Sequence, residues 1–252
     1  MAASETTGEG GNGHDTHNGT VCVGTLRLHQ PLCVGTMQWG TTRLDHKLNR
    51  GMVMNATLDA MLDTMAQHRI TFMDTAEGYG GGSSEERVGC AMDRFVMRRQ
   101  EPQPSPDKTT EGTRDGTSFV VGSKFLPTLW RMSRAALLAS LRNTLHRLGK
   151  DSLELYMLHT PTHPASLELW IDALCDAMDA GLVQNIGVSN CDASQVRRAC
   201  AAAKRRGHSV AVNQVLFCLL DYASPKLQHM ERVCREEGVT IMGYGPLVCV
   251  HL

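Results

Sequence analysis

Four side chains in this sequence have the types needed to pass a proton to oxygen: Asp74, Tyr79, Lys124 and His159. The stretch Phe72-Met-Asp-Thr-Ala-Glu-Gly-Tyr79 reads as the tail of a buried strand running into a loop. Phe72 and Met73 belong out of water, and Asp74 is costly in a core unless it has a partner. Gly78, Gly80, Gly81 and Gly82 then break regular structure. The apolar run Phe119-Val-Val-Gly-Ser-Lys124 ends in a cation, and Leu153-Glu-Leu-Tyr-Met-Leu-His159 ends in an imidazole. Singly, each has a plain reading. Asp74 and Lys124 would be an ordinary ion pair, Tyr79 a packing residue, His159 a satisfied core histidine. Together they make one device. A phenol titrates near ~10, too high to exchange protons readily at neutral pH. A nearby ammonium stabilises tyrosinate and lowers that value, and a carboxylate holds the lysine in place. The phenol can then donate to a carbonyl oxygen gaining charge, while His159 orients that oxygen or bonds to it. None of the four carries electrons, so a hydride-carrying cofactor is implied.

Ser189, Asn190, Gln214 and Tyr244 are the candidates for holding it. Ser189 and Asn190 end an apolar run, where they could bond an amide-like ligand as donor and acceptor. Equally, they could cap the helix that starts near Asp192. Gln214 lies inside an apolar run and needs a partner there. Tyr244 could stack on a flat ring or pack in a core. The 11 histidines lack ligand spacing, so no metal site is expected.

The elements that must position these residues alternate. Apolar runs predict strands over Leu32–Gly35, Phe72–Asp74, Phe119–Lys124, Leu153–His159, Asn185–Ser189, Val210–Val215 and Val239–Tyr244. Helices are predicted over Ala56–His68, from Ser83 to Arg98, from Ser133 to Gly149, and over Leu167–Ala180, Asp192–Arg206 and Pro225–Glu237. Ser83-Ser-Glu-Glu86 reads as a capping box. Ser133 and Gly149 bracket a helix with Leu137, Leu138, Leu141, Leu145 and Leu148 in one stripe. Upstream, Val21–Leu28 is expected to form a hairpin with Leu32–Gly35. Residues 1–20 are polar and expected to be disordered, and residues 100–118 form a polar insertion. Strands alternating with helices mean parallel βαβ units. The reactive residues fall at the C-terminal ends of several different strands, as in a (β/α)8 barrel rather than an open doubly wound sheet. With seven strands counted, one unit of that barrel is missing.

At 252 residues, with 42% hydrophobic and 20% charged, the chain is one large domain or two small ones with ample core. A net charge of −1 provides no field to attract nucleic acid or an anionic membrane, and no apolar run is long enough to span one. The first residues carry neither a secretory signal pattern nor the Arg-rich, acid-poor character of a transit peptide. Nine cysteines without a Cys-x-x-Cys point to reduced thiols and a cytoplasmic setting.

In order along the chain, several stretches resemble the aldo/keto reductase family. They are Gly35-Thr-Met-Gln-Trp-Gly40, Phe72–Tyr79, Val121-Gly-Ser-Lys124, residues 140–149, Leu155-Tyr-Met-Leu-His159, residues 181–190, Asn213-Gln214 and Gly243-Tyr-Gly-Pro-Leu247. The resemblance covers about residues 25–247. It implies a (β/α)8 barrel that reduces aldehydes and ketones with NADPH, with Asp74, Tyr79, Lys124 and His159 catalytic. It places nicotinamide contacts on Ser189, Asn190, Gln214 and Tyr244, with Thr36, Met37, Gly245, Pro246 and Leu247 nearby. The family continues past the Gly-Pro-Leu loop with a further helix, strand and helix that grip the adenosine end and 2′-phosphate. Their lack here leads to an expectation of weakened cofactor affinity and lower stability. Relatives also serve as cytoplasmic subunits of potassium channels, so a non-catalytic nucleotide-binding or regulatory subunit on the same barrel, or an inactive truncated isoform, is the alternative.

Overall fold

The computed structural model describes residues 20–40, 53–100, 118–161, 164–218 and 223–246. The predicted polar tail (save Thr20), the body of the 100–118 insertion, and Leu247 lie outside them.

Strands β1 (Val21–Val23) and β2 (Leu26–Leu28) form an antiparallel hairpin. Seven parallel strands follow in one sheet, in sequence order. They are β3 (Cys33–Gly35), β4 (Phe72–Asp74), β5 (Val120–Phe125), β6 (Leu155–Leu158), β7 (Ile186–Ser189), β8 (Val210–Leu216) and β9 (Thr240–Tyr244). Helices α1 (Asn55–Gln67), α2 (Ser83–Gln100), α3 (Arg134–Leu148), α4 (Leu167–Asp179), α5 (Ala193–Arg205) and α6 (Pro225–Glu236) connect them. Neighbours in sequence are neighbours in the sheet throughout, so this is an incomplete (β/α)8 barrel with β3 and β9 as its edges among the described residues.

Strands covered on both faces read as continuous apolar runs, and β6 and β7 are buried at every position. Outside the sheet, the helices' apolar stripes, among them Leu62, Val88, Leu141, Trp170, Leu174 and Val196, form one core with Val121, Phe125 and Val188. Inside it, Phe72, Leu155, Met157 and Val212 pack with Val23, Leu26 and Leu28 of the hairpin. The hairpin thus closes the N-terminal mouth and leaves chemistry to the other end.

The hairpin is not the predicted one. Its turn, Gly24-Thr25, lies within the first apolar run, and Cys33–Gly35 pairs in parallel with β4 instead. Gly24 makes this possible: it adopts φ +58, and a Cβ there would lie 2.2 Å from Asn185 Oδ1. That same amide oxygen accepts from Thr25 N at 2.9 Å, locking the turn to the foot of β7.

Helix boundaries follow local chemistry. Ser133, Ser166 and Ser224 accept from the N–H of the third residue on, and Asp192 with Gln195 completes a capping box. Gly149 ends α3 in the left-handed region, as predicted. The box predicted at Ser83 does not form. A 3₁₀ turn over Tyr79–Gly82 runs straight into α2, so Ser83 is already helical and its Oγ donates to Gly80 O at 3.0 Å. Among the described residues no helix is long and apolar enough to cross a membrane, and the cysteines carry no disulfide.

Candidate active site

Asp74 ends β4 and Lys124 lies near the end of β5, beside it in the sheet. The lysine is fully buried and Asp74 is 6% exposed. Two ions so placed must satisfy one another. Lys124 Nζ donates to Asp74 Oδ1 at 2.7 Å, to Asp74 Oδ2 at 2.8 Å, and to Thr75 O at 2.8 Å. It also reaches Tyr79 Oη at 3.2 Å. An ammonium has protons and no lone pair, so the phenol oxygen accepts there and its own hydrogen must point elsewhere.

His159 follows β6, and its backbone N–H donates to Phe125 O at 2.9 Å. Its ring stands edge-on to that of Tyr79, with centroids 5.8 Å apart and planes at 84°. Nδ1 is buried with no hydrogen-bond partner among the described residues. Burial, and secondarily the Lys124 charge, hold the imidazole below its ordinary value, so it is neutral at pH 7.

The second set lies at the next three strands of the sheet, β7, β8 and β9. Ser189 is buried at the end of β7. Asn190 takes a left-handed backbone, φ 59, as Asn tolerates. Its Nδ2 donates to His159 O and Ser189 Oγ, both at 3.1 Å, and its Oδ1 accepts from Tyr244 Oη at 2.8 Å. With Asp192 capping α5, the capping reading of Ser189 and Asn190 falls away. Gln214 is 3% exposed, and its Nε2 faces Met242 Sδ at 3.5 Å, a weak acceptor. A cleft of about 540 Å³ is lined by Gly35, Asp74, Gln214, Tyr244, Gly245 and Pro246, together with Val23 and Leu28 of the hairpin.

Two residues lie differently from their neighbours in this group. Thr36 is fully buried, its Oγ1 donating to Asp74 O at 3.1 Å and sharing a 2.8 Å bond with Ser84 Oγ. It buttresses the strand end that carries Asp74. Met37 is 57% exposed.

Sequence reasoning missed two carboxylates. Glu85, fully buried on α2, accepts from Ser123 Oγ at 2.5 Å and from Arg147 Nε at 2.7 Å. Glu77 binds Arg131 through both oxygens, at 2.8 and 3.0 Å. Glu77 was visible inside the motif, but its partner lies far along the chain.

The model of the aldo/keto reductase family matches residues 31–248. The chain is 29% identical over 223 residues to the chloroplastic pyridoxal reductase of Arabidopsis thaliana, covering 86% of this chain and 58% of that protein. It is 30% identical over 163 residues to the aldo-keto reductase YhdN of Bacillus subtilis, covering 65% of this chain and 42% of that one. The chain spans about half the length of the curated relatives it matches. Among solved structures, a thermostable aldo-keto reductase bound to the inhibitor epalrestat superposes with a TM-score of 0.66 at 28% identity, over 89% of this chain and 70% of that one. An aldo-keto reductase from Klebsiella pneumoniae in complex with NADPH gives 0.62 at 25% identity, over 88% and 65%. Fold, order of motifs and family model agree, and the chain belongs to the aldo/keto reductase family.

Proposed function

We propose that this protein reduces an aldehyde or ketone to an alcohol, with Tyr79 as proton donor and NADPH as the cofactor. One observation carries this reading: the buried ammonium of Lys124 touches Tyr79 Oη while its remaining protons are committed to Asp74 and Thr75 O. A cation so placed favours the phenolate left behind once the proton has gone. Asp74 keeps the ammonium in place, and neutral His159 beside the phenol positions the carbonyl oxygen.

The chain's residues also suit the cofactor. Ser189, Asn190 and Gln214 offer hydroxyl and amide groups to a carboxamide, and Gln214 is buried with its Nε2 facing a thioether, a weak acceptor. Tyr244, 40% exposed on the edge strand, offers a ring face. When bound, NADPH supplies the hydride. The cysteines among the described residues form no disulfide, which fits a reducing compartment such as the cytoplasm.

The test is isotopic. Incubation with an aromatic aldehyde and NADPH deuterated at the nicotinamide should yield an alcohol carrying the label on one face of its carbinol carbon. Cofactor binding without any labelled alcohol, across a panel of aldehydes and ketones, would favour a non-catalytic nucleotide-binding role.

A further inference from the structure

Tyr79 is the less firmly seated partner of the Lys124 contact. Lys124 is held on its own side by Asp74, whereas Tyr79 occupies a 3₁₀ turn with Gly78 before it and Gly80, Gly81 and Gly82 after it. Such a segment has much conformational entropy to lose. Its own backbone bonds are local: Tyr79 N donates to Ala76 O and its carbonyl accepts from Ser83 N, whereas across to β5 Glu77 N stands a long 3.5 Å from Lys124 O.

Glu77 supplies what the backbone does not. Its side chain is 12% exposed. Oε1 accepts from Leu126 N at 2.6 Å and Arg131 Nη1 at 2.8 Å. Oε2 accepts from Arg131 Nη2 at 3.0 Å and from Ser140 Oγ. Leu126 and Arg131 lie on the segment that leaves β5, the strand bearing Lys124. Arg131 is itself anchored, its guanidinium 4.4 Å from the centroid of the Phe125 ring. A two-pronged guanidinium–carboxylate pair fixes orientation as well as distance.

The geometry points to Glu77 and Arg131 as positioning residues: a clamp that sets the Tyr79 loop against the end of β5 and so fixes the phenol at the Lys124 ammonium. The inference rests on the proposed role of Tyr79. It has a signature that mere electrostatics would reverse. Removing the negative charge of Glu77 should, by Coulomb's law alone, make tyrosinate easier to form. If the clamp positions Tyr79, its removal lengthens the contact with Lys124 and makes tyrosinate harder to form.

Tyrosinate absorbance can be titrated without cofactor or turnover. Subtracting the titration of Tyr79→Phe made in the same background separates Tyr79 from the other tyrosines of the chain's 4, of which Tyr156 also feels the Glu77 charge. In Glu77→Gln, which keeps shape and loses charge, the Tyr79 midpoint should rise by about one pH unit. Arg131→Lys keeps the charge and loses the fork, and should raise it by less. Near-ultraviolet circular dichroism identifies any variant that fails to fold, leaving the other to decide. An unchanged or lowered midpoint in a folded variant overturns the clamp. Lys124→Met separates this from the function: if that change leaves the midpoint where it was, the proton-donor reading itself falls and the clamp with it.

Discussion

Lys124 Nζ lies 3.2 Å from Tyr79 Oη and 2.7 Å from Asp74 Oδ1, so a single ammonium joins a strand-end acid to a loop phenol. The lysine is fully buried, and nothing in water competes for its protons. Charge held in such a place is worth more to a developing phenolate than the same charge at the surface. It is also a liability, because neither ion tolerates loss of the other.

Lys124→Met should therefore cost about 3–5 kcal/mol of stability, since it leaves the Asp74 carboxylate buried and unpaired. The double variant Asp74→Leu with Lys124→Met removes both charges and should recover most of that loss while remaining inactive. Urea unfolding of the three proteins measures this. Equal midpoints for Lys124→Met and the parent would mean that Asp74 has other partners.

His159 should make stability depend on pH. Its folded-state pKa is depressed by burial and then by Lys124, whereas in the unfolded chain it titrates near ~6.5. Below that value the unfolded state binds the proton first, so stability falls as pH drops from about 6.5 toward the folded-state value. Carboxylates held low by their partners, such as Asp176 and Glu168, add the same sign of slope in a more acidic range. His159→Gln should flatten the upper part of the curve and leave the acidic part. Superimposable curves would show that His159 titrates alike in both states.

Features set by short-range interactions are legible in the sequence, and those set by long-range contacts are not. Phe72–Asp74 was legible to the residue, because an apolar pair ending in an acid has few other uses. The strand at Leu155–Leu158 came out shorter than the apolar run, since Leu153 bridges to Val183 and His159 already turns off the sheet. The hairpin was misassigned because both apolar arms flanking His29-Gln-Pro31 had strand character, and only the tertiary fit of Gly24 against Asn185 selects the turn. Ser83 looked like a cap, but the turn before it removed the free N–H groups that a cap would serve. Ser189 and Asn190 were ambiguous until Asp192 proved to be the cap. The Glu77–Arg131 pair was invisible, since a charge pair between distant segments leaves no periodic trace.

Tyr244 combines a ring and a hydroxyl with separable roles. The hydroxyl bonds to Asn190 Oδ1 at 2.8 Å, and the ring is part-exposed. If the ring stacks on the nicotinamide, Tyr244→Phe should bind NADPH nearly as well as the parent. Tyr244→Ala should then bind it about 2–10-fold more weakly, the range expected for an aromatic pair. Fluorescence titration distinguishes them, and equal loss in both variants would instead assign the effect to the Asn190 bond.

Tyr79→Phe deletes the one oxygen assigned to proton transfer and leaves the ring beside His159 in place. NADPH consumption with an aromatic aldehyde, followed at pH 7 in parent and variant, is the measurement. The parent should turn over and the variant should be slower by about 10²–10⁴-fold at unchanged NADPH affinity, as expected for loss of a general acid. A variant as fast as the parent would contradict the assignment of the proton to Tyr79.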